Sequence, residues 1–199
     1  MAKVVVINHV TLDGVMQSPA RSDEDTRDGF AHGGWAMPGN DPMMAAKIGE
    51  RMGEDPAFLF GRRTYEDFYA VWPERTDSPF SAALTNTRKY VASRTLTEPL
   101  PWSNSVLLPG DAAEAVAGLK QHQPGTLTIF GSGELIGSLM AADLIDECLL
   151  MIHPLVLGSG RRIFAPGRQA RLRLIDAVTT ATGVVIATYE AVADGTPRP

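Results

Sequence analysis

Short apolar runs alternate with amphipathic stretches through the first three quarters of the chain. Val4–Ile7 is a continuous β-branched run, the pattern of a strand buried on both faces. Further strands are predicted at Ala57–Phe60, Lys89–Ser93, Ser105–Leu108, Thr126–Phe130 and Glu147–His153. Helices are predicted between them. Asp41 as N-cap with Pro42 in the first turn opens one that runs to about Met52. Arg62–Tyr69 forms a second, stopping before Pro73, and Ser78 with Pro79 opens a third that ends near Thr87. Asp111 caps a fourth, with Ala112, Ala115, Val116 and Leu119 at helical spacing, and Glu134–Met140 is the fifth. The pattern then changes. Leu172–Thr180 and Val184–Val192 are long β-rich runs separated by Ala-Thr-Gly, which reads as an antiparallel hairpin.

Strands that alternate with helices imply a parallel sheet with helices on both faces, and the hairpin adds antiparallel strands at its edge. The expectation is an α/β fold with a mixed eight-stranded sheet, in a single domain over residues 1–199. Residues 17–40 break the alternation. They carry Pro19, Pro38, four glycines and the acidic cluster Asp23, Glu24, Asp25 and Asp28, and a structureless segment of that length is usually functional or mobile. The polar tail Asp194–Pro199 is expected to fray.

Composition narrows the function more than the fold. Of 199 residues, 44% are hydrophobic and 21% charged, enough for a sizeable core and incompatible with wholesale disorder. The net charge of −5 lacks the basic balance of a nucleic-acid binder. No stretch approaches the ~20 apolar residues of a membrane span, and the N-terminus reads as a strand rather than a signal peptide. Cys148 is the lone cysteine, so no intrachain disulfide forms, and a cytoplasmic location is expected. The 18 basic residues are 14 Arg and 4 Lys, which reflects either compositional drift or anion recognition by guanidinium groups.

Ligands of open α/β sheets bind at the carboxyl ends of the strands, and three such ends carry suggestive residues. Gly61-Arg62-Arg63-Thr64 follows a strand and opens a helix, where exposed N–H groups and the helix dipole favour an anion. Gly131-Ser132-Gly133-Glu134 repeats that arrangement after Thr126–Phe130. It is not a full dinucleotide fingerprint, because Gly137 stands one residue late. Ser93-Arg94 joins a hydroxyl to a guanidinium, a pair suited to a phosphate monoester. Singly, such a junction reads first as a tight turn with solvated arginines. Together they suit a ligand with a pyrophosphate and one separate phosphate, and NADPH has that form.

On the substrate side, Asp13 in Leu12-Asp13-Gly14 is a general acid or a turn residue. Trp35 either covers a flat heterocycle or packs its loop down. Gly158-Ser159-Gly160-Arg161-Arg162 either binds a substrate phosphate or forms a solvated turn. His9, His32, His122 and His153 are scattered without metal-ligand spacing, so no metal site is expected. His153, before Pro154, reads as structural, and Cys148 inside an apolar strand as a core residue. No nucleophile elbow or P-loop is present.

In order along the chain, Leu12-Asp13-Gly14, Gly61-Arg62-Arg63-Thr64-Tyr65-Glu66, Ser93-Arg94, Ile129-Phe130-Gly131-Ser132-Gly133-Glu134-Leu135, and Asp146-Glu147-Cys148-Leu149 leading to His153-Pro154 and Gly158-Ser159-Gly160-Arg161-Arg162-Ile163-Phe164 resemble the dihydrofolate reductase-like superfamily. The sequence is most similar to the C-terminal reductase domain of the bifunctional riboflavin-biosynthesis deaminase-reductase, over roughly residues 3–192. The resemblance implies NADPH as hydride donor. It implies that Gly61, Arg62 and Thr64 face the cofactor phosphates, Ser93-Arg94 lies near the 2′-phosphate, and Gly131–Leu135 surrounds the pyrophosphate. It also implies a homodimer.

There are departures. Where dihydrofolate reductases carry an acidic residue on the helix before the Gly-Arg-x-Thr junction, this chain has Asp41-Pro42-Met43-Met44-Ala45-Ala46, and Asp41 is the nearest carboxylate. The cysteine and histidine zinc motif of the deaminase is absent. The reading is therefore an NADPH-dependent reductase of a small heterocyclic or ribosylaminopyrimidine substrate, with Asp13, Asp41 or water supplying the proton. A nucleotide-binding module without turnover and a true dihydrofolate reductase are the alternatives.

Overall fold

A computed structural model describes residues 1–75, 79–164, 167 and 169–192. It contains strands β1 (Lys3–Thr11), β2 (Pro56–Gly61), β3 (Lys89–Ala92), β4 (Ser105–Leu108), β5 (Thr126–Phe130), β6 (Glu147–His153), β7 (Arg171–Thr179) and β8 (Val185–Val192). The helices are α1 (Pro42–Met52), α2 (Arg62–Val71), α3 (Pro79–Asn86), α4 (Ala112–His122) and α5 (Gly133–Ala141). The strands form one mixed sheet in the order β4-β3-β2-β5-β1-β6-β8-β7, the α/β sheet expected from the alternation, in the dihydrofolate reductase-like arrangement that the resemblance implies. Ser78 as the opening residue of α3, and the tail at 194–199, lie outside the described residues.

Two compact units are present. The first joins Met1–Val4 to Met52–Leu144. Within it β2 runs parallel to both β3 and β5, and β3 parallel to β4. β2, β4 and β5 are short runs that each feed a helix, the usual parallel crossover, whereas β3 reaches β4 through residues 93–104 without one. The core gathers Phe58, Phe60, Tyr65, Leu84, Val91 and Trp102, with Phe68, Trp72, Phe80 and Phe130 packed against it. Burying each of these aromatic side chains contributes on the order of 2–3 kcal/mol. The Tyr65 hydroxyl accepts the backbone N–H of Trp102 at 3.0 Å, so the tyrosine is not left with an unpaired polar end. Lys89 is the unusual member. It is fully buried, and its ammonium donates to the carbonyls of Leu84, Thr85 and Thr87 at 2.6, 3.1 and 2.8 Å, capping the C-terminus of α3. Asp111 caps α4 as expected, accepting the Ala113 and Glu114 N–H groups.

The second unit joins Val5–Arg51 to Ile145–Pro199. β1 runs parallel to β6, with Val5 opposite Glu147 and Thr11 opposite His153, while β8 is antiparallel to both β6 and β7. β1 continues four residues beyond the apolar run Val4–Ile7, through Asn8 and His9. Polar residues do not end a strand whose neighbours can satisfy them. β7 is largely exposed and carries a bulge between Leu174 and Asp176.

Residues 17–40 are not structureless. Short 3-10 turns form at Arg27–Gly29 and Met37–Gly39. Gln17 organises the segment from a buried position. Its amide donates to the carbonyls of Asp25 and Arg27, both at 3.1 Å, and its side-chain oxygen accepts the Arg161 N–H at 2.9 Å. The Ser18 hydroxyl donates to the Arg21 carbonyl and accepts the Asp25 N–H. Glycines and prolines therefore mark a folded loop whose backbone groups are satisfied by side chains rather than by a ladder.

Candidate functional site

In the first unit, β2 and β5 each end in a glycine turn that opens a helix. Gly61 is the N-cap of α2 and has no side chain to cap it, and Ser132 is the N-cap of α5 but does not bond its own helix. The Ser132 and Thr64 hydroxyls instead bond across the turns. Ser132 Oγ accepts the Gly61 N–H at 3.0 Å, and Thr64 Oγ1 accepts the Ser132 N–H at 3.0 Å. Each hydroxyl accepts here and keeps its proton to donate elsewhere. Gly131 and Ser132 both adopt left-handed backbone conformations, with φ of 57° and 56°. A Cβ at Gly131 would lie 3.1 Å from Thr64 Oγ1, so the glycine also permits the close approach. Two helix N-termini that lack a side-chain cap thus share one cross-tied turn, a ready place for an anion. Arg62 pairs with Glu66 at 2.9 Å, and Arg63 with Glu134 at 3.1 Å. Glu134 therefore serves Arg63, and Leu135 is a buried core residue of α5.

Ser93 and Arg94 follow β3 in the same unit. Ser93 Oγ accepts the N–H groups of Thr95 and Leu96 at 3.1 and 3.0 Å, which fixes the turn. The Arg94 side chain is 78% exposed and stands 3.7 Å from Asp111.

The substrate-side candidates lie in the second unit. Asp13 is a clasp. Its carboxylate accepts the Thr11 hydroxyl at 2.6 Å, the Gly158 N–H at 2.9 Å and the Leu157 N–H at 3.3 Å, with Arg162 at 3.6 Å. The Thr11 hydroxyl above all, then the two amides, hold the Asp13 carboxyl down at about 2. It is ionised at neutral pH, which argues against the general-acid alternative and for the turn residue. Asp41 is similarly engaged. One carboxylate oxygen accepts the Met43 N–H as the α1 cap, and the other accepts the Ala181 N–H in the β7–β8 turn. Trp35 donates its Nε1–H to the Gln17 carbonyl at 2.7 Å. Arg161 pairs with Asp28 at 2.9 Å. Arg161 and Arg27 line a cavity of about 200 Å³ with Phe30 and Ser159.

Sequence reasoning missed one constellation. His9 Nδ1 and His153 Nε2 lie 2.9 Å apart, and Trp35 packs edge-on against His153 at 5.2 Å between ring centroids. Burial first, and then the facing His153, lower His9 to about 4, while burial alone lowers His153. Both rings are therefore neutral at pH 7, one nitrogen donating and the other accepting. A Cβ at Gly39 would lie 2.7 Å from His153 Nδ1, so the loop backbone rests directly on that ring. The two histidines are 144 residues apart and meet through the parallel β1–β6 pairing. The available signal was a histidine near the carboxyl end of each of two strands.

The sequence profile of the RibD C-terminal domain matches residues 2–186. The chain belongs to the RibD C-terminal domain family. Among curated proteins it is similar to the uncharacterised protein YyaP of Bacillus subtilis (strain 168), 28% identical over 174 residues that cover 82% of this chain and 89% of YyaP. Among solved structures it resembles a pyrimidine reductase-like protein from Corynebacterium diphtheriae, with a TM-score of 0.67, 12% identity and 97% and 93% of the two chains covered. It also resembles dihydrofolate reductase from Enterococcus faecalis complexed with NADP(H), with a TM-score of 0.62, 13% identity and 95% and 96% covered. At such identities the structural likeness shows the fold, which is dihydrofolate reductase-like.

Among the described residues, no group of three or more His, Cys, Asp and Glu side chains is placed to hold a metal ion. No described helix is long and apolar enough to cross a membrane. Burial, and then Glu147, push the Cys148 thiol up to about 12, so it is an inert core residue.

Proposed function

We propose that this RibD C-terminal family member is an NADPH-dependent reductase acting on a small heterocyclic or ribosylaminopyrimidine substrate, as a cytoplasmic homodimer. The observation that carries the reading is the pair of helix N-termini without side-chain caps, α2 and α5, cross-tied by Thr64 and Ser132. Backbone N–H groups, two hydroxyls and nearby arginines are the donor set that a pyrophosphate requires. Gly61, Arg62, Arg63 and Thr64, with Gly131, Ser132 and the first-turn backbone N–H groups of Gly133, Glu134 and Leu135, would hold it. Ser93 and Arg94 would hold the 2′-phosphate. The cofactor, when bound, supplies the hydride, and the protein's part is to bind, orient and exclude water. Trp35, Gly158 and Arg161 would serve the substrate.

Neither carboxylate proposed as catalytic is arranged to donate a proton. Asp13 is ionised within three donors, and both Asp41 oxygens accept backbone N–H groups. Water is then the proton source, with Asp13 and Asp41 holding the loops in place. The same observation favours the second reading, a nucleotide-binding module without turnover on this fold.

Titration of the purified protein with NADPH and NADH, read by tryptophan quenching, tests the cofactor assignment. Micromolar NADPH binding with weaker NADH is expected, and Arg94→Ala should remove most of that preference. No binding by folded protein sinks the reading. NADPH oxidation in the presence of pyrimidine ribosides or dihydrofolate then separates a reductase from a binding module.

A further inference from the structure

We propose that Asp111 sets how strongly this chain prefers a 2′-phosphorylated nucleotide, by competing with that phosphate for the guanidinium of Arg94. The inference rests on the assignment of Arg94 under Proposed function. Asp111 is the N-cap of α4, and its Oδ1 accepts the Ala113 and Glu114 N–H groups at 2.9 and 3.1 Å. Those two bonds fix the carboxylate, so it cannot swing away when an anion arrives. Its other oxygen, Oδ2, stands 3.7 Å from Arg94 Nη2, close enough for coulombic pairing and too far for a hydrogen bond. The guanidinium therefore keeps its donors for a ligand while a fixed negative charge stands beside it.

The turn bearing Arg94 is anchored as firmly. Ser93 Oγ accepts the Thr95 and Leu96 N–H groups, and the Ser93 N–H donates to the Leu108 carbonyl at 3.3 Å. The Asp111 carboxylate and the backbone that carries Arg94 are thus both held, and the Arg94 side chain, 78% exposed, extends from its turn beside that carboxylate. A phosphate monoester carries roughly −1.5 to −2 at neutral pH. Placed on Arg94 it meets like charge within a few ångströms, inside the Debye length at ordinary salt. NADH carries no such group and is insensitive to Asp111.

The test is a set of titrations with NADPH and NADH on the full chain, with Asp111→Asn, Asp111→Ser, Arg94→Ala and the Arg94→Ala/Asp111→Asn double variant. Asn and Ser both keep an N-cap acceptor, so helix α4 is retained and either variant can carry the test. Removing the charge should tighten NADPH about three- to tenfold at low salt and leave NADH within about twofold. The gain should shrink at high salt and vanish in the double variant. A merely structural role for Asp111 would move both nucleotides together and would not respond to salt. If Arg94→Ala lowers NADPH selectively while neither Asp111 variant alters the ratio, the competition is overturned and the Arg94 assignment stands. If Arg94→Ala leaves the NADPH-to-NADH ratio unchanged, the assignment falls and the competition falls with it.

Discussion

Thr64 Oγ1 accepts the backbone N–H of Ser132 at 3.0 Å, joining the first turn of α2 to the cap of α5. The partner bond, from the Gly61 N–H to Ser132 Oγ, closes the tie in the other direction. Thr64→Val keeps the shape and removes the acceptor, leaving the Ser132 N–H without it. A hydrogen bond of this kind contributes about 1 kcal/mol, so NADPH and NADH should both weaken roughly fivefold, in parallel. Thr64→Ser should restore both. Unchanged affinities for Thr64→Val would remove the hydroxyl from phosphate binding.

Gly131 supports the same tie from the other side. With φ at 57° and Thr64 Oγ1 only 3.1 Å from where a Cβ would stand, Gly131→Ala adds both backbone strain and a close contact. The cost expected is about 1–2 kcal/mol, seen as a lower melting temperature together with weaker nucleotide binding. Gly137 sits mid-helix with open space around its Cα, so Gly137→Ala is the control and should leave both measurements unchanged or improved. Equal behaviour of the two variants would contradict the tight packing at Gly131.

The strands and helices were legible because the parallel sheet writes itself as apolar runs followed by capped helices. Ser105–Leu108, Thr126–Phe130 and Glu147–His153 match the observed strands residue for residue. β1 was underread because hydrophobic patterning stops at Asn8, whereas the central strand tolerates His9 by pairing it with His153. The loop at 17–40 was legible as a break but not as a built element. Its order depends on Gln17 and Ser18 bonding residues several positions away, and no local pattern encodes that. On the site side, helix starts at Gly61 and Ser132 followed from glycine turns. The roles of Asp13 and Asp41 did not, because a carboxylate's neighbours decide whether it clasps or donates.

Asp13 is expected to be needed for loop architecture rather than for proton transfer. Its carboxyl is held at about 2, well below its ordinary value, so its contribution to stability is present above pH 4. That contribution is lost as pH falls from 4 towards 2. Asp13→Asn replaces an acceptor-only group facing three donors with one that accepts through a single oxygen. The variant should melt lower than the wild type at pH 7 and lose that difference in acid, while NADPH titrates normally because the phosphate residues lie on other elements. A melting temperature unaffected at pH 7 would show that the clasp contributes nothing.

Lys89 tests the core of the first unit. Burial lowers its ammonium to about 8, which leaves it mostly charged at neutral pH, 4.7 Å from the centre of the Trp102 ring. Its ammonium serves three carbonyls, and among the described residues only that of Thr85 also receives a side-chain donor, the Asn104 amide at 3.2 Å. Lys89→Met fills similar volume and supplies no donor, and should cost roughly 1.5–3 kcal/mol, the range for hydrogen bonds to a charged group. Urea unfolding would report it as a lower midpoint with an unchanged slope. A midpoint equal to that of the wild type would mean water replaces the ammonium at no cost.

The His9–His153 pair makes stability fall with acid. Both rings are held neutral, His9 at about 4 and His153 below its ordinary value, whereas in the unfolded chain each titrates near 6.5. Between those values the unfolded state binds more protons than the folded one, so stability rises with pH across that window and is fully present above about 6.5. For His9 alone the difference is on the order of 3 kcal/mol, and His153 adds in the same direction. Because Trp35 and Gly39 rest on His153, the 17–40 loop should loosen before the rest of the unit, reported by Trp35 fluorescence as pH is lowered. Urea midpoints at pH 7.5, 6 and 5 should fall in step, and His9→Phe should flatten that dependence even though it lowers stability at pH 7.5. Midpoints that stay level from pH 7.5 to 5 would show that the pair accepts a proton without penalty and is not buried as a neutral unit.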